Sequence, residues 1–380
     1  MRSFTALLAL LFTLTFCNAA TAQALPLSET ASISLLTCGP GTELYSVFGH
    51  TALRVHDPLQ GMDVVYNYGT FDFSTPNFYL RFVKGDLQYF VSVSSYDDFV
   101  YTYQYYNRDL FEQQLNLTPA QKQQIADDLS TTLTSNRRFY TYKYFDRNCT
   151  TMVADILNRH LPEKISMKNS DAGKTYRQIV HEYLANSFYE NLGISLIFGY
   201  KTDRPMEKLF LPRQLLEGVG YSTTANGSLA QPVVTVYKST AEAATSLWNN
   251  YYTYALACLL LMIASGNAMV HRSLMALLGL LGVFFCTVGY YSFHIEITQN
   301  YNALLVNPLF LILLYFIFAQ NIKAARLTAF IELGCLVFYV MFTLNKPHII
   351  TVLPLTALIV ILLLRAIYPP QRFLPKFGNK

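Results

Sequence analysis

Apolar and polar positions alternate with two different periods along this chain, and the pattern changes near residue 245. Thr51, Leu53 and Val55 share one parity while His50, Ala52 and Arg54 share the other, the period-two signature of a strand. "DPLQGM" supplies a turn and "DVVYNYGTFDF" a second strand, so the two predict an antiparallel hairpin. The short apolar run "SISLLTC" comes before a Gly-Pro-Gly turn, and "LQYFVSVSSY" reads as a further strand. A helix is predicted over "LTPAQKQQIADDLSTTLTS", with Thr118 as N-cap, Pro119 at the first helical position and Gln121 closing a capping box. "RRFYTYKYF" alternates again, with Tyr140, Tyr142 and Tyr144 on one side. Met152, Val153, Ile156 and Leu157 then fall on one helical face, which places Cys149 where a helix begins. The stretches through "FGYKTDRPMEKLFLPRQLLEG" and "PVVTVYK" mix helix and strand. The expected class for this part is α+β.

Beyond residue 245 long apolar runs dominate, at roughly 248–265, 273–292, 303–320, 327–344 and 348–366. Each is close to the ~20 residues a helix needs to cross a bilayer core. An all-α membrane domain of about five transmembrane helices is the expectation.

The first residues change the compartment. "MRSFTALLALLFTLTFCNAATAQA" has one basic residue, an apolar run and an Ala20-Thr21-Ala22 cleavage site, the layout of a secretory signal peptide. Phe16 before Cys17 is too bulky for a lipoprotein signal. Basic residues in the breaks between apolar runs give the same orientation. If the first domain is outside, the inside breaks hold Arg272, Lys323, Arg326 and a tail with Arg365, Arg372, Lys376 and Lys380, while the outside breaks hold only Lys346. The domain expectation is a signal peptide at 1–22, an exported periplasmic domain at 23–245, a five-helix transmembrane domain at 246–368 and a cytoplasmic tail at 369–380. That is a multi-pass protein of a bacterial inner membrane with its C-terminus in the cytoplasm. The net charge of +4 resides mostly in the cytoplasmic ends and makes no case for nucleic acid.

Chemistry then concentrates on two thiols. Of six cysteines, one is in the leader, and Cys258, Cys286 and Cys335 lie in the apolar runs as small packing residues. Cys38 and Cys149 remain in the exported domain, and in an oxidising compartment a Cys38–Cys149 disulfide is the simplest use for them. The position of Cys149 argues for another. A helix start offers free amides and the positive end of the dipole, which favour thiolate, the nucleophilic form. Those amides, with Asn148 beside them, are candidate donors to an oxyanion. The base is expected to be His50, inside an otherwise apolar strand, with Asn67 on the neighbouring strand as a third, orienting residue. His160 and His181 lie in polar stretches and read as surface residues, and His56 falls at a strand end beside the Asp57-Pro58 turn. Neither C-x-x-C nor H-x-x-x-H spacing is present, so no metal or cofactor is expected, and there is no G-x-S-x-G elbow.

A histidine on an early strand followed by Asn-Cys opening a helix resembles the permuted NlpC/P60 papain-like fold and relatives of lecithin:retinol acyltransferase. The blocks "LLTCGPGTELYSVFGHTALRV", "VVYNYGTFDF", "PNFYLRFVKGDLQYFVSV", "YNRDLFEQQLNLTPAQKQQI" and "YFDRNCTT" together resemble the Lnb N-terminal periplasmic domain of Bacteroidota. The resemblance implies lipoprotein N-acyltransferase activity. A phospholipid would be the acyl donor, and the α-amine of a diacylated lipoprotein's N-terminal cysteine the acceptor. By motif, Cys149 and His50 take the nucleophile and base positions, and Cys38 in "TCGPG" is either a second functional thiol or a disulfide partner. Competing readings are a cysteine-dependent phospholipase or thioesterase, a cell-wall amidase, and a non-catalytic binding module closed by the Cys38–Cys149 disulfide.

Overall fold

The computed structural model describes residues 26–225, 227–240 and 246–369. The expected leader at 1–22 and the tail residues Arg372, Lys376 and Lys380 lie outside the described residues.

The N-terminal part is built in the order β1 (Ser32–Cys38), β2 (His50–Asp57), β3 (Met62–Thr70), α1 (Phe78–Lys84), β4 (Gln88–Ser95), α2 (Tyr96–Tyr105), β5 (Leu110–Gln114), α3 (Pro119–Thr134), β6 (Phe139–Thr141) and α4 (Cys149–His160). It continues through α5 (Tyr176–Tyr183), α6 (Phe188–Ile197), α7 (Pro212–Tyr221), the small ladder of β7 (Thr223–Thr224) with β8 (Gly227–Ser228), and β9 (Val234–Tyr237). Seven strands form one sheet in the order β6-β4-β3-β2-β1-β5-β9, each neighbouring pair antiparallel. The β2–β3 hairpin turns through Pro58–Gln60 and Gly61, whose φ of 62° is the left-handed value that glycine adopts without strain.

The period-two pattern of β2 is realised as two faces. Leu53 and Val55 join Ile33, Leu35, Ile125, Leu129, Val153 and Ile156 in the main core under α3 and α4. Ala52 joins Leu36, Cys38 and Val65 on the other face, where α2 covers them with Phe99 and Tyr103. α3 carries the expected capping box of Thr118 and Gln121 with Pro119 in its first turn. The expected strand over "RRFYTYKYF" shrinks to Phe139–Thr141 at the sheet edge. Lys143 and Arg147 exchange backbone hydrogen bonds of 3.1 and 3.0 Å, and this tight turn aims the chain into α4.

The C-terminal part contains α8 (Tyr251–Ala264), α9 (Ala268–Tyr291), α10 (Leu309–Phe318), α11 (Ile322–Thr343) and α12 (Ile349–Ile367). Among the described residues, four segments are long and apolar enough to cross a membrane: Ala268–Tyr291, Ile295–Phe318, Ile322–Thr343 and Ile349–Ile367. The expectation of five is therefore corrected to four. α8 has 14 residues, about 21 Å at ~1.5 Å per residue against a ~30 Å hydrocarbon core. Asn250 caps its N-terminus by accepting from the amides of Tyr252 and Thr253, so the helix starts only at Tyr251 and Trp248 and Asn249 stay outside it. The segment Ile295–Phe318 is also not one uninterrupted α-helix: two 3-10 turns, Ile295–Ile297 and Tyr301–Leu304, precede Pro308 and α10.

The two parts share packing. Val288 at the end of α9 and Ile297 belong to the same core as the sheet and its helices. The Lys143 ammonium donates to Phe293 O at 2.6 Å, Gly199 N–H donates to Glu296 O at 2.8 Å, and Lys346, between α11 and α12, pairs with Asp203 at 3.2 Å. The α9–α10 and α11–α12 connections thus lie on the side of the sheet domain. Arg365, at the opposite end of α12, bonds Met262 O and Ser265 near the foot of α8.

Candidate active site

α4 begins where it does because Asn148 caps it. The Asn148 side-chain oxygen accepts from Thr151 N–H at 2.9 Å, and the Thr151 hydroxyl accepts from Asn148 N–H at 2.8 Å, a reciprocal box. The Asn148 amide nitrogen donates to Tyr144 O and to Phe210 O, each at 2.8 Å. Both of its N–H bonds are thus engaged, and the residue is buried. This corrects the expectation for Asn148: it has no side-chain donor left for an oxyanion, and it pins the helix start to the preceding loop and to Phe210. The donors left at the helix start are the first-turn amides of Cys149 and Thr150, which have no intrahelical acceptor.

Cys149 is the first residue of α4 and is half-buried. Thr150 anchors the helix to β2 by bonding the Thr51 hydroxyl at 3.0 Å, with both residues fully buried. β3 makes room opposite. Its pairing with β4 shifts register between Asn67 and Thr70, and Gly69 in that bulge has φ of 90°. A Cβ on Gly69 would lie 3.5 Å from the Cys149 Cβ, so the backbone passes Cys149 closely.

His50 opens β2 directly opposite Cys38 of β1. The residue before it, Gly49, has φ of 82°, and a Cβ there would run into the carbonyl oxygen of Cys38. Only glycine lets the chain enter the strand in a way that presents His50. The His50 Nε2 lies 3.2 Å from Asn67 Oδ1, and the Asn67 amide is oriented by its own contact to Val65 O at 3.5 Å. An amide oxygen only accepts, so this bond places the imidazole proton on Nε2 and leaves the Nδ1 lone pair for a thiol.

Burial by itself would raise the Cys149 pKa. The His50 side-chain hydrogen bond and charge, the Thr51 backbone amide and the Thr150 hydroxyl outweigh it, and the thiol is held below its ordinary value. Cys38 has the opposite setting. It is 1% exposed, and burial pushes its thiol up to about 12 despite a hydrogen bond with Tyr103 and the nearby charge of Arg108. Both are free thiols.

The fold therefore brings Cys149, His50 and Asn67 together, places Cys38 behind them on β1, and leaves the other histidines elsewhere. His56 meets Asp63 at 3.3 Å, His160 meets Asp128 at 3.3 Å, and His181 meets Thr351 at 3.5 Å. Thr51 and Thr150 escaped the sequence reading, although the parity of β2 already put Thr51 on the face that α4 covers. Glu296 had no local signal. It is 2% exposed and accepts from Tyr144 N–H at 2.8 Å, so a connection between apolar segments holds the loop that leads into Cys149.

Residues 19–182 match the family model of the Lnb N-terminal periplasmic domain. No curated protein and no solved structure matches the chain.

Proposed function

We propose that this chain, which carries an Lnb N-terminal periplasmic domain at residues 19–182, is a cysteine-dependent lipoprotein N-acyltransferase. The observation that carries the reading is the pairing of a helix-start thiol of lowered pKa with an imidazole whose other nitrogen is held by Asn67. This is the order of groups of the permuted NlpC/P60 papain-like fold, with the histidine on a strand and the cysteine at a later helix start. A neighbouring set of apolar helices would give that thiol access to a lipid donor.

In the first step His50 Nδ1 takes the proton from Cys149 Sγ, and the thiolate attacks the ester carbonyl of a phospholipid. The amides of Cys149 and Thr150 stabilise the tetrahedral oxyanion at the positive end of α4. The carbon–oxygen bond then breaks, and the lysophospholipid alkoxide leaves with the proton from His50. In the second step the α-amine of a lipoprotein's diacylglyceryl-cysteine attacks the thioester and gives a proton to His50. The carbon–sulfur bond breaks, an amide forms, and the thiolate is regenerated beside the imidazolium. Exclusion of water favours transfer to the amine over hydrolysis.

The test is mass spectrometry of the full-length protein in phospholipid nanodiscs, before and after a diacylated lipopeptide is added. The expected result is a hydroxylamine-labile acyl group on Cys149 that moves to the peptide amine, with neither product formed by Cys149→Ala. Free fatty acid with no acylated peptide would replace the transferase by a lipase or thioesterase. An unmodified Cys149 would sink the acyl-enzyme route.

A further inference from the structure

The surface around α1 takes no part in the chemistry above. None of the seven residues of this helix is buried, and Tyr79 and Leu80 are 76% and 67% exposed, with Phe82 and Val83 also open. Phe73 and Tyr45 extend the same surface. A contiguous apolar patch of this kind marks a contact with something other than water.

What it faces is given by its attachment. The last carbonyls of α1 are bonded by the residues that follow the Ala268–Tyr291 span. Phe293 N–H donates to Lys84 O at 2.7 Å, the Ser292 hydroxyl to Val83 O at 2.8 Å, and His294 Nε2 to Phe82 O at 2.8 Å. α1 is thereby fixed at the level where an apolar span ends. Tyr290, Tyr291 and Phe293 are exposed at that same level, the arrangement of an aromatic belt between headgroups and hydrocarbon. Arg81 and Lys84 of α1 and Lys143 of the sheet domain supply cations there, with Lys84 and Lys143 each 5.7 Å from the Phe293 ring. Such a mixture suits a phospholipid interface and its phosphates.

An aromatic track leads inward from the patch. Phe73 packs on Phe78 at 4.9 Å and Phe78 on Phe71 at 5.8 Å, measured between ring centroids. Phe71 meets Tyr89 at 5.3 Å, and Tyr89 stacks on Tyr142 at 4.5 Å. Tyr142 and Cys149 both pack against the main core of the sheet domain. A shallow recess lined by Phe82, Gly85, Leu87, Tyr89, Tyr142 and His294 lies along this track.

We infer that α1 and its flanking aromatics sit in the bilayer interface on the sheet domain's side, and that an acyl chain leaves the leaflet along Phe71, Tyr89 and Tyr142 to reach Cys149. The second half rests on the acyltransfer reading and the first half does not.

The experiment uses the full-length protein in phosphatidylcholine nanodiscs with brominated acyl chains. A tryptophan is placed at α1 (Leu80→Trp) in a Trp248→Phe background, and a control at the far hairpin turn (Leu59→Trp). Leu59 is 74% exposed and lies at the end of β2 and β3 opposite His50 and Thr70. Bromine is expected to quench the α1 reporter about threefold and to leave the control unquenched, since only the former is within the interface. An unquenched α1 reporter overturns the seating. Leu80→Asp is expected to slow acylation of Cys149 from bilayer lipid about tenfold or more, the scale of losing one buried leucine contact and adding a charge. Leu59→Asp should leave that rate unchanged. Alkylation of Cys149 by iodoacetamide with the 1%-exposed Cys38 left unmodified reports that each variant is folded. Equal acylation in the Leu80→Asp variant and the parent overturns the entry route. If the parent acquires no acyl group at all, the acyltransfer reading falls and the route with it, while quenching alone still decides the seating.

Discussion

Cys38 and Cys149 belong to the same domain but meet opposite surroundings. Cys149 gains a hydrogen bond and charge from His50 at a helix start, whereas Cys38 is enclosed by a strand pair and Tyr103. The consequence is a difference in reactivity at neutral pH. Iodoacetamide, followed by peptide mass spectrometry, should modify Cys149 with a pH midpoint below the ordinary thiol value of ~8.5 and leave Cys38 unmodified. The sign follows from what is removed: His50→Ala deletes the two largest of the interactions that favour thiolate and keeps the burial that opposes it, so the midpoint must rise. Asn67→Ala should move it the same way by less, because Asn67 acts through the imidazole. A midpoint unaffected by His50→Ala would remove the histidine from the thiol's environment. At this scale the residue types were legible in the sequence, since a thiol at a helix start and a histidine in an apolar strand each break the local pattern. The role of Asn148 was not, because nothing local says where both of its N–H bonds go.

Among the elements, α4 is the one whose start has to be held in place. Removing the Asn148 side chain deletes a cap, typically ~1–2 kcal/mol, and leaves the carbonyls of Tyr144 and Phe210 without their donor. Asn148→Ala is therefore expected to destabilise by about 2–4 kcal/mol, read as a lowered midpoint of denaturant unfolding in detergent. A change under about 0.5 kcal/mol would mean that the cap is not engaged in solution. Helix and strand periods made most elements readable, and the Thr118 box was visible as a string of residues. α8 was misjudged for a reason of the same kind. Its apolar run looked long enough until Asn250 turned out to be its cap.

At the scale of the whole molecule, the sheet domain and the apolar helices are joined through buried polar groups. Arg177 is 2% exposed. It bonds Asp203 at 2.8 Å and the carbonyls of Ser195, Phe198 and Gly199, while Lys346 reaches the same Asp203 from the α11–α12 connection. Arg177→Ala leaves the buried Asp203 carboxylate without its shorter ion pair and takes one donor from each of three carbonyls, which should cost about 3–5 kcal/mol. Lys346→Ala leaves Asp203 still paired with Arg177, so its cost should stay near 1 kcal/mol. Thermal unfolding of the two variants side by side checks the order, and similar losses would assign the junction to Lys346 instead.

By itself the sequence determined which segments are strands, helices and long apolar runs, and which two residue types are set apart in the exported part. Those features are written in periods of two and 3.6 residues and in caps spanning three, all within reach of a local reading. Only the tertiary structure decided that Asn67 faces His50, that a bulge at Gly69 clears the approach to Cys149, that Cys38 is sealed away, and that Glu296 holds the loop before Cys149. Each of these depends on strand register or on contacts across long stretches of chain, 99 residues for Thr51 with Thr150 and 152 for Tyr144 with Glu296. A one-residue change of register would reverse every face of a strand without altering a single local signal, so only packing fixes that choice.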